Sequence, residues 1–429
     1  MLRLLDLRGH PGPLREALPR PNEVGAGPEE AVAAILAGVR EDGDGALRKY
    51  TEQYDHAVVG ELRIPPSELA VALATLAPAL REALEAARDS IEAFHRSELE
   101  GERRHERDGI VVTSMPRPVD RAGLYVPAGR APLISTVLMT AVPARVAGVP
   151  EIVLCSPPGP DGRVAPGILA AAALAGVDEV YRVGGAQAIA AMAYGTESIA
   201  PVDVIVGPGN LYVSVAKRQV AQEGRVGVPS AFAGPSEVVV VADDTTPVAC
   251  AAIDVVVQAE HGPDGLAWLV TWSEEAARRI TDEVARLVAA SPRRAEISST
   301  LASGGYAVIV DGPQQAMEVA NEVAPEHLEL MTADPDALVP LVRSAGAVFT
   351  GVYAPASVGD YLAGPSHVLP TYGSARFASA LGVDDFRKQI HVITLDRVAL
   401  ARHAPHVVAI AEAEGLAAHA ESVRVRAAP

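Results

Sequence analysis

Three short stretches place side chains that can carry protons or hold a cation beside glycine or proline. The first, "NEVAPEHLELM" at residues 321–331, sets an acid and a base side by side, Glu326 and His327, directly after Pro325. A carboxylate next to an imidazole suits two proton transfers, and imidazole titrates closest to neutral pH. Following a proline, the pair is expected at the edge of an element, where neither group hides easily in a core. The second, "VVVQAEHGPD" at residues 255–264, carries Gln258 and His261 at i and i+3. If a helix beginning near Thr246 ends here, these two share a face and Glu260 points elsewhere. An amide oxygen and an imidazole suit zinc or a neighbouring divalent ion, but a usable site needs one or two more ligands, typically a carboxylate and another histidine. The third, "SVGDYLAGPSHVLPT", offers Asp360 and His367 in a glycine-broken loop. A structural reading of His261 stands beside the metal reading, because a helix C-terminus favours histidine through its dipole alone. His56, His95 and His105 lie in charged helical surroundings and are expected to do no chemistry.

The elements that must position these groups follow from pattern. Residues 28–99 read as a helical lead-in: "PEEAVAAILAGVR" opens on a proline, and "PSELAVALATLAPALREALEAARDSIEAF" keeps a helical apolar period broken at Pro78. Short β-branched runs alternating with Ala-rich helical segments come next. "AGLYVP", "EIVLCSPP", "DEVYRVGG" and "DVIVGPGN" form one cluster, and "EVVVVAD", "AWLVTWS", "YAVIVDG" and "GAVFTG" form another. That alternation predicts two parallel sheets in α/β layers, with a crossing near residues 224–236. From residue 381 a strand-like "QIHVITLD" and a helical tail form a small appended unit. The fold class is therefore α/β, two Rossmann-like parallel-sheet domains with a helical N-terminal lead-in and a small C-terminal helical tail unit. The expected division is an N-terminal segment at 1–22, a larger α/β domain at 23–124 and 236–380, a second α/β domain at 125–235, and a C-terminal unit at 381–429.

Composition narrows the function. The chain has 429 residues, enough for two or more cored domains. A formal charge of -18 argues against nucleic acid as a partner, since such proteins concentrate Lys and Arg on one face. Charges and prolines break the apolar run of "MLRLLDLRGHPGPLREALPR", and no stretch approaches the roughly 18 apolar residues of a membrane span. A soluble, unexported, cytoplasmic protein is expected. Cys155 and Cys250 are the two cysteines, too few for a disulfide scaffold and without thiolate-site spacing, so a metal here uses N and O ligands. In open α/β sheets ligands sit outside the carboxyl ends of strands. "VGGAQAIAAM" and "VGPGNLYVSVAKRQV" place glycines there with a helix just beyond, a setting that suits phosphate, although neither is a GxGxxG fingerprint.

The strings "GLYVPAGRAPLISTVLM", "VGGAQAIAAMAYGTESI", "VGPGNLYVSVAKRQV", "AGPSEVVVVAD", "QAEHGPD", "NEVAPEHLELM", "GDYLAGPSHVLPT" and "EGLAAHAESV" run in order over nearly the whole chain. Together they resemble the histidinol dehydrogenase family. The resemblance implies a homodimeric enzyme, dependent on Zn2+ (one per subunit) and NAD, that oxidises L-histidinol twice, through L-histidinaldehyde, to L-histidine in the last steps of histidine biosynthesis. It places zinc ligands on Gln258, His261, Asp360 and His419, and the catalytic pair on Glu326 and His327. NAD contacts fall on Tyr125, Gln187 and Asn210. Substrate contacts fall on Ser236, Glu414 and His367, together with Gln258, His261, His327, Asp360 and His419. The C-terminal unit would serve dimerisation, bringing Glu414 and His419 to the other subunit's site.

Within the resemblance, His327 is the base for the alcohol and Glu326 the base for water adding to the aldehyde. Ala128 departs from the family's usual glycine; if that glycine has positive φ, alanine there would cost about 1 kcal/mol or more. Two other functions compete. A dehydrogenase of a different small polar alcohol would be favoured by loss of Glu414 or His419, and both are present. A catalytically silent metal-binding or assembly protein would not need the full set of proton carriers, ligands and cofactor residues. As a mechanistic variant, Cys155 would form a thiohemiacetal with the aldehyde; its setting in "EIVLCSPP" reads instead as a buried structural thiol.

Overall fold

A computed structural model describes residues 1–19, 28–128, 132–229, 234, 236–260, 262 and 265–427. In chain order the strands are β1 (Arg3–Asp6), β2 (Arg103–Arg107), β3 (Ile110–Pro118), β4 (Arg121–Tyr125), β5 (Glu151–Ser156), β6 (Glu179–Arg182), β7 (Val204–Val206), β8 (Glu237–Ala242), β9 (Leu266–Thr271), β10 (Gly305–Ile309), β11 (His327–Met331), β12 (Ala347–Thr350) and β13 (Arg387–Thr394). They form a four-stranded sheet in the order β6-β5-β4-β7, a six-stranded sheet in the order β1-β10-β9-β8-β11-β12, and a three-stranded sheet in the order β13-β3-β2. The first two are parallel throughout. The third is antiparallel.

Parallel sheets bury both faces, so their strands read as unbroken apolar runs rather than alternating ones. In β8, Val238 and Val240 enter one core while Val239 and Val241 enter the core on the opposite face. The four-stranded sheet divides in the same way, with Leu124, Ile152 and Leu154 on one side and Val153, Cys155 and Ile205 on the other.

The lead-in helices cover this second sheet. Val32, Ile35, Leu36 and Leu47 of the helix Glu29–Asp55 pack on one of its faces. Leu69 and Ala72 of Pro66–Ala74, with Leu84 and Ile91 of Pro78–Ser97, pack on the other. Residues 29–97, expected with the larger domain, thus pack with the four-stranded layer. Their apolar period shows that they cover a sheet, but both sheets offer the same Val, Ile and Leu surface. Pro78 opens its helix, as the break in period predicts.

Two strands join the expected second cluster: β1, from the N-terminal segment, and β11, which starts at His327 itself. The β2–β3 hairpin falls outside the sequence reading. Its loop, Asp108–Gly109, has φ of 52° and 83°, as a two-residue primed turn requires. The expected strand at "QIHVITLD" is β13, which pairs with β3 over its whole length, and the helices Arg397–Ala413 and Ala417–Ala427 complete the tail. Among the described residues no helix is long and apolar enough to cross a membrane.

Candidate active site

After the helix Pro313–Val323, Ala324 takes a left-handed conformation (φ 52°) and Pro325 follows, so the chain turns sharply before Glu326. β11 then pairs with β8 and β12, fixing His327 opposite Val238 and Ala347. Both proton carriers are buried, Glu326 at 8% exposure and His327 at 4%, contrary to the expectation that an edge position keeps them open. Pairing on both sides of β11 is the reason.

Glu237, the first residue of β8, holds the pair. Its backbone N–H donates to Glu326 Oε2 at 2.9 Å, and the Glu326 N–H donates back to Glu237 Oε2 at 3.3 Å. His327 Nδ1 lies 3.1 Å from the Glu237 carbonyl oxygen. A carbonyl only accepts, so Nδ1 carries a proton and the neutral ring keeps its lone pair on Nε2. Nε2 stands 3.5 Å from Asp360 Oδ1, and Nδ1 stands 3.4 Å from Glu326 Oε2. Burial pushes the imidazole pKa down, but the Glu326 and Asp360 carboxylates outweigh it and hold His327 well above its ordinary value. Burial and the nearby Glu326 charge lift Glu237 to about 8, despite stabilising hydrogen bonds from the Tyr372 and Glu326 N–H groups.

Asp360 sits on the short helix Ala356–Tyr361. His367 supports it: Nδ1 donates to the Asp360 carbonyl at 2.9 Å, and Nε2 lies 3.1 Å from Thr136 Oγ1. With both nitrogens used and burial lowering its pKa, His367 is a neutral bridge. Thr136 belongs to the helix that follows β4, so this bridge ties the carboxyl edge of the four-stranded sheet to the amino edge of the six-stranded one. Ser236, half-buried, directly precedes β8 on that amino edge. The proton carriers therefore stand at the opposite strand ends from those that the general rule for α/β sheets selects.

Gln258 lies near the end of the helix Val248–Ala259, 1% exposed, and among the described residues its amide oxygen and nitrogen both lack a hydrogen-bond partner. A buried amide left bare costs about 1–3 kcal/mol, so this side chain fits a ligand's donor set better than a finished core. His261 lies outside the described residues. Among those described, no cluster of three or more His, Cys, Asp or Glu is assembled to hold a metal. Glu414 and His419 are exposed near the start of the helix Ala417–Ala427, and neither side chain bonds to Gln258, His327 or Asp360 within the chain.

Three nucleotide candidates gather at the carboxyl edge of the four-stranded sheet. Tyr125, buried at the end of β4, accepts the Gly185 N–H at 3.1 Å, and burial raises its phenol. Asn210 caps the helix Leu211–Gln222 by accepting the Val213 N–H at 3.1 Å. Gln187 is buried in the helix Gly185–Tyr194. Gly207, with φ of 108°, passes so close to Tyr125 that a Cβ would fall 2.1 Å from its carbonyl oxygen. Ala128 is absent from the left-handed residues, so alanine costs nothing there and packs against the core instead.

Cys155 is fully buried in a core cluster, where burial pushes its thiol up to about 12. A thiolate there is out of reach at neutral pH, which removes the thiohemiacetal variant. His95, expected in charged surroundings, is wholly buried with Nδ1 bonded to the Ile91 carbonyl. Glu237, Asp254, Glu329 and Thr136 escaped the sequence reading. The available signal was an acid inside an apolar strand, as in "SEVVVV" and "HLELM".

A buried imidazole of fixed tautomer with a carboxylate beside it, in a fold of two parallel α/β layers, is an arrangement suited to proton transfer. The histidinol dehydrogenase family model matches residues 18–427. The histidinol dehydrogenase of Thermosynechococcus vestitus is 47% identical over 431 residues, covering 100% of this chain and 99% of that protein. That of Geobacillus kaustophilus is 45% identical, covering 92% and 93%. The crystal structure of histidinol dehydrogenase from Elizabethkingia anophelis superposes with a TM-score of 0.94 at 35% identity, covering 99% of this chain and 98% of that one. The chain belongs to the histidinol dehydrogenase family, oxidoreductases of the final oxidation in histidine biosynthesis.

Proposed function

We propose that this chain uses NAD and one Zn2+ per subunit to carry out the four-electron oxidation of L-histidinol, through L-histidinaldehyde, to L-histidine. The observation that carries the reading is His327: with Nδ1–H donated to the Glu237 carbonyl, the ring offers Nε2 as base. His327 accepts the hydroxyl proton in the first oxidation. Glu326 accepts a proton from the water that adds to the aldehyde. The unpartnered amide of Gln258 fits a metal site, and Gln258, His261, Asp360 and His419 would hold the ion. When bound, zinc supplies a Lewis-acidic anchor for substrate nitrogens, and NAD supplies the hydride acceptor. A cation on Asp360 would also offset one of the two carboxylates that raise His327, returning the base toward neutrality.

Ser236, Glu414 and His367 complete the substrate site, and Tyr125, Gln187 and Asn210 lie along the nucleotide. The exposed Glu414 and His419 support a site shared between two subunits, with residues 381–429 as the dimerising unit. The protein works in the cytoplasm. NADH formed per histidinol consumed by the zinc-loaded protein tests the reading. A ratio of two is expected, and a ratio of one with free aldehyde accumulating would remove the four-electron reaction.

A further inference from the structure

Thr136, in the first turn of the helix Ile134–Ala147, is a buried hydroxyl with no part in the proton transfers. Its Oγ1 lies 3.1 Å from His367 Nε2. The other ring nitrogen, Nδ1, lies 2.9 Å from the Asp360 carbonyl oxygen, which only accepts, so Nδ1 carries the proton. A neutral ring then accepts at Nε2, and the Thr136 hydroxyl is the donor.

Neighbouring contacts pin the same segment at both ends. Ser366 Oγ donates to the carbonyl of Met139, three residues beyond Thr136 in the helix, at 3.0 Å. Val368 packs in one core cluster with Val137, Leu138 and Met139. At the far end, the Tyr372 N–H donates to Glu237 Oε1 at 2.9 Å. Residues 366–372 therefore run from the helix beside the nucleotide candidates to the residue that holds Glu326 and His327. The helix Ile134–Ala147 follows β4, which ends on Tyr125, so Thr136 belongs to the four-stranded layer. Asp360, at the other end of the bridge, places Oδ1 3.5 Å from His327 Nε2.

We infer that Thr136 is a positioning residue for the reaction: by donating to His367 Nε2 it fixes the ring that holds the Asp360 backbone, and so keeps Asp360 beside His327 across the two layers. A ring bonded at both nitrogens cannot turn without breaking a bond at each end. With those nitrogens used inside the chain, His367 meets a substrate through its ring carbons. The inference rests on the proposed function for its effects on histidinol and zinc.

Two substitutions separate the hydroxyl from the methyl. Thr136→Val keeps the shape and removes the donor, whereas Thr136→Ser keeps the donor and removes the methyl. In the zinc-loaded protein, Thr136→Val should lower kcat/KM for histidinol by about 10- to 100-fold, with KM for NAD within about twofold. Zinc affinity, measured by chelator competition, should fall by about 10-fold in the same variant, because Asp360 is less well held. Thr136→Ser should stay within about threefold of wild type in every measurement, since its hydroxyl makes the same bond. If Thr136→Val does not fold, Thr136→Cys replaces it; a thiol is a weak donor of similar size and should lose more than serine does. Damage by Ser with Val unharmed would assign Thr136 to packing and overturn the inference, as would equal kinetics and zinc affinity in Val and wild type. Wild-type protein that neither binds zinc nor oxidises histidinol would sink the proposed function, and the inference with it.

Discussion

Gln258→Met should move stability in opposite directions with and without zinc. The Gln258 side chain is 1% exposed, and among the described residues neither of its amide atoms has a partner. Each bare buried polar group costs about 1–3 kcal/mol, and methionine has nearly the same length without either group. Removing the amide should therefore stabilise the metal-free protein by about 2 kcal/mol, after allowance for imperfect repacking. Metal binding works the other way. Zinc at about a hundred times its dissociation constant adds roughly 2.7 kcal/mol to a protein that binds it only when folded, and the variant lacks one ligand. Urea unfolding in chelator and in zinc, read by tryptophan fluorescence and circular dichroism, separates the two effects. Trp268, 1% exposed in the six-stranded sheet, reports on the relevant layer. A variant less stable in chelator, or one that gains as much from zinc as wild type, would refute the argument.

Other substitutions probe the remaining parts of the site. Cys155→Ala and Cys250→Ala, singly or together, should keep most activity, because Cys155 is held as a thiol in a core and Glu326 can activate water; a substrate adduct trapped on either sulfur would overturn this. His261→Asn and Asp360→Ala should lose zinc and activity together, and stoichiometric zinc in both would place the metal elsewhere. His95→Ala should keep zinc but lower the unfolding midpoint, since the ring is wholly buried; an unchanged midpoint would show that its packing contributes nothing. Glu326→Gln should still form one NADH from histidinol and be slow from histidinaldehyde, whereas His327→Ala should be impaired from histidinol at the outset. Equal slowing of both half-reactions by both variants, in single-turnover NADH traces, would end the division of roles.

The parallel sheets, the lead-in helices and the ordering of the strand clusters were legible because each rests on local periodicity. What escaped depends on which distant segment a strand meets. "HLELM" has the apolar alternation of a strand, but the acid and base ahead of it drew the reading toward an exposed edge; pairing with β8, nearly ninety residues away in sequence, buries them. Glu237 opens the apolar run "EVVVVAD" and anchors the pair through backbone groups that carry no residue-specific signal. The helices at 29–97 found the smaller sheet because two similar apolar surfaces competed for them. The β2–β3 hairpin was signalled by Asp108–Gly109, a dipeptide suited to positive φ at both positions, and was passed over beside a long helical pattern.

Adjacency of Glu326 and His327 would defeat a shared task if both lay inside β11. Successive side chains of a strand point to opposite faces, so two neighbours there could not serve one carbon. The strand begins at His327, which shares its face with Glu329 and Met331, while Leu328 and Leu330 enter the core on the other side. Glu326 stands one residue outside, where the backbone has left the Ala324–Pro325 turn and is not yet pleated. There its carboxylate can swing to the strand's end, and the Glu237 N–H holds it 3.4 Å from the imidazole. The strand boundary between the two residues is thus what lets sequence neighbours act at one place. It follows that lengthening β11 by one paired residue toward its amino end would separate the acid from the base without changing either.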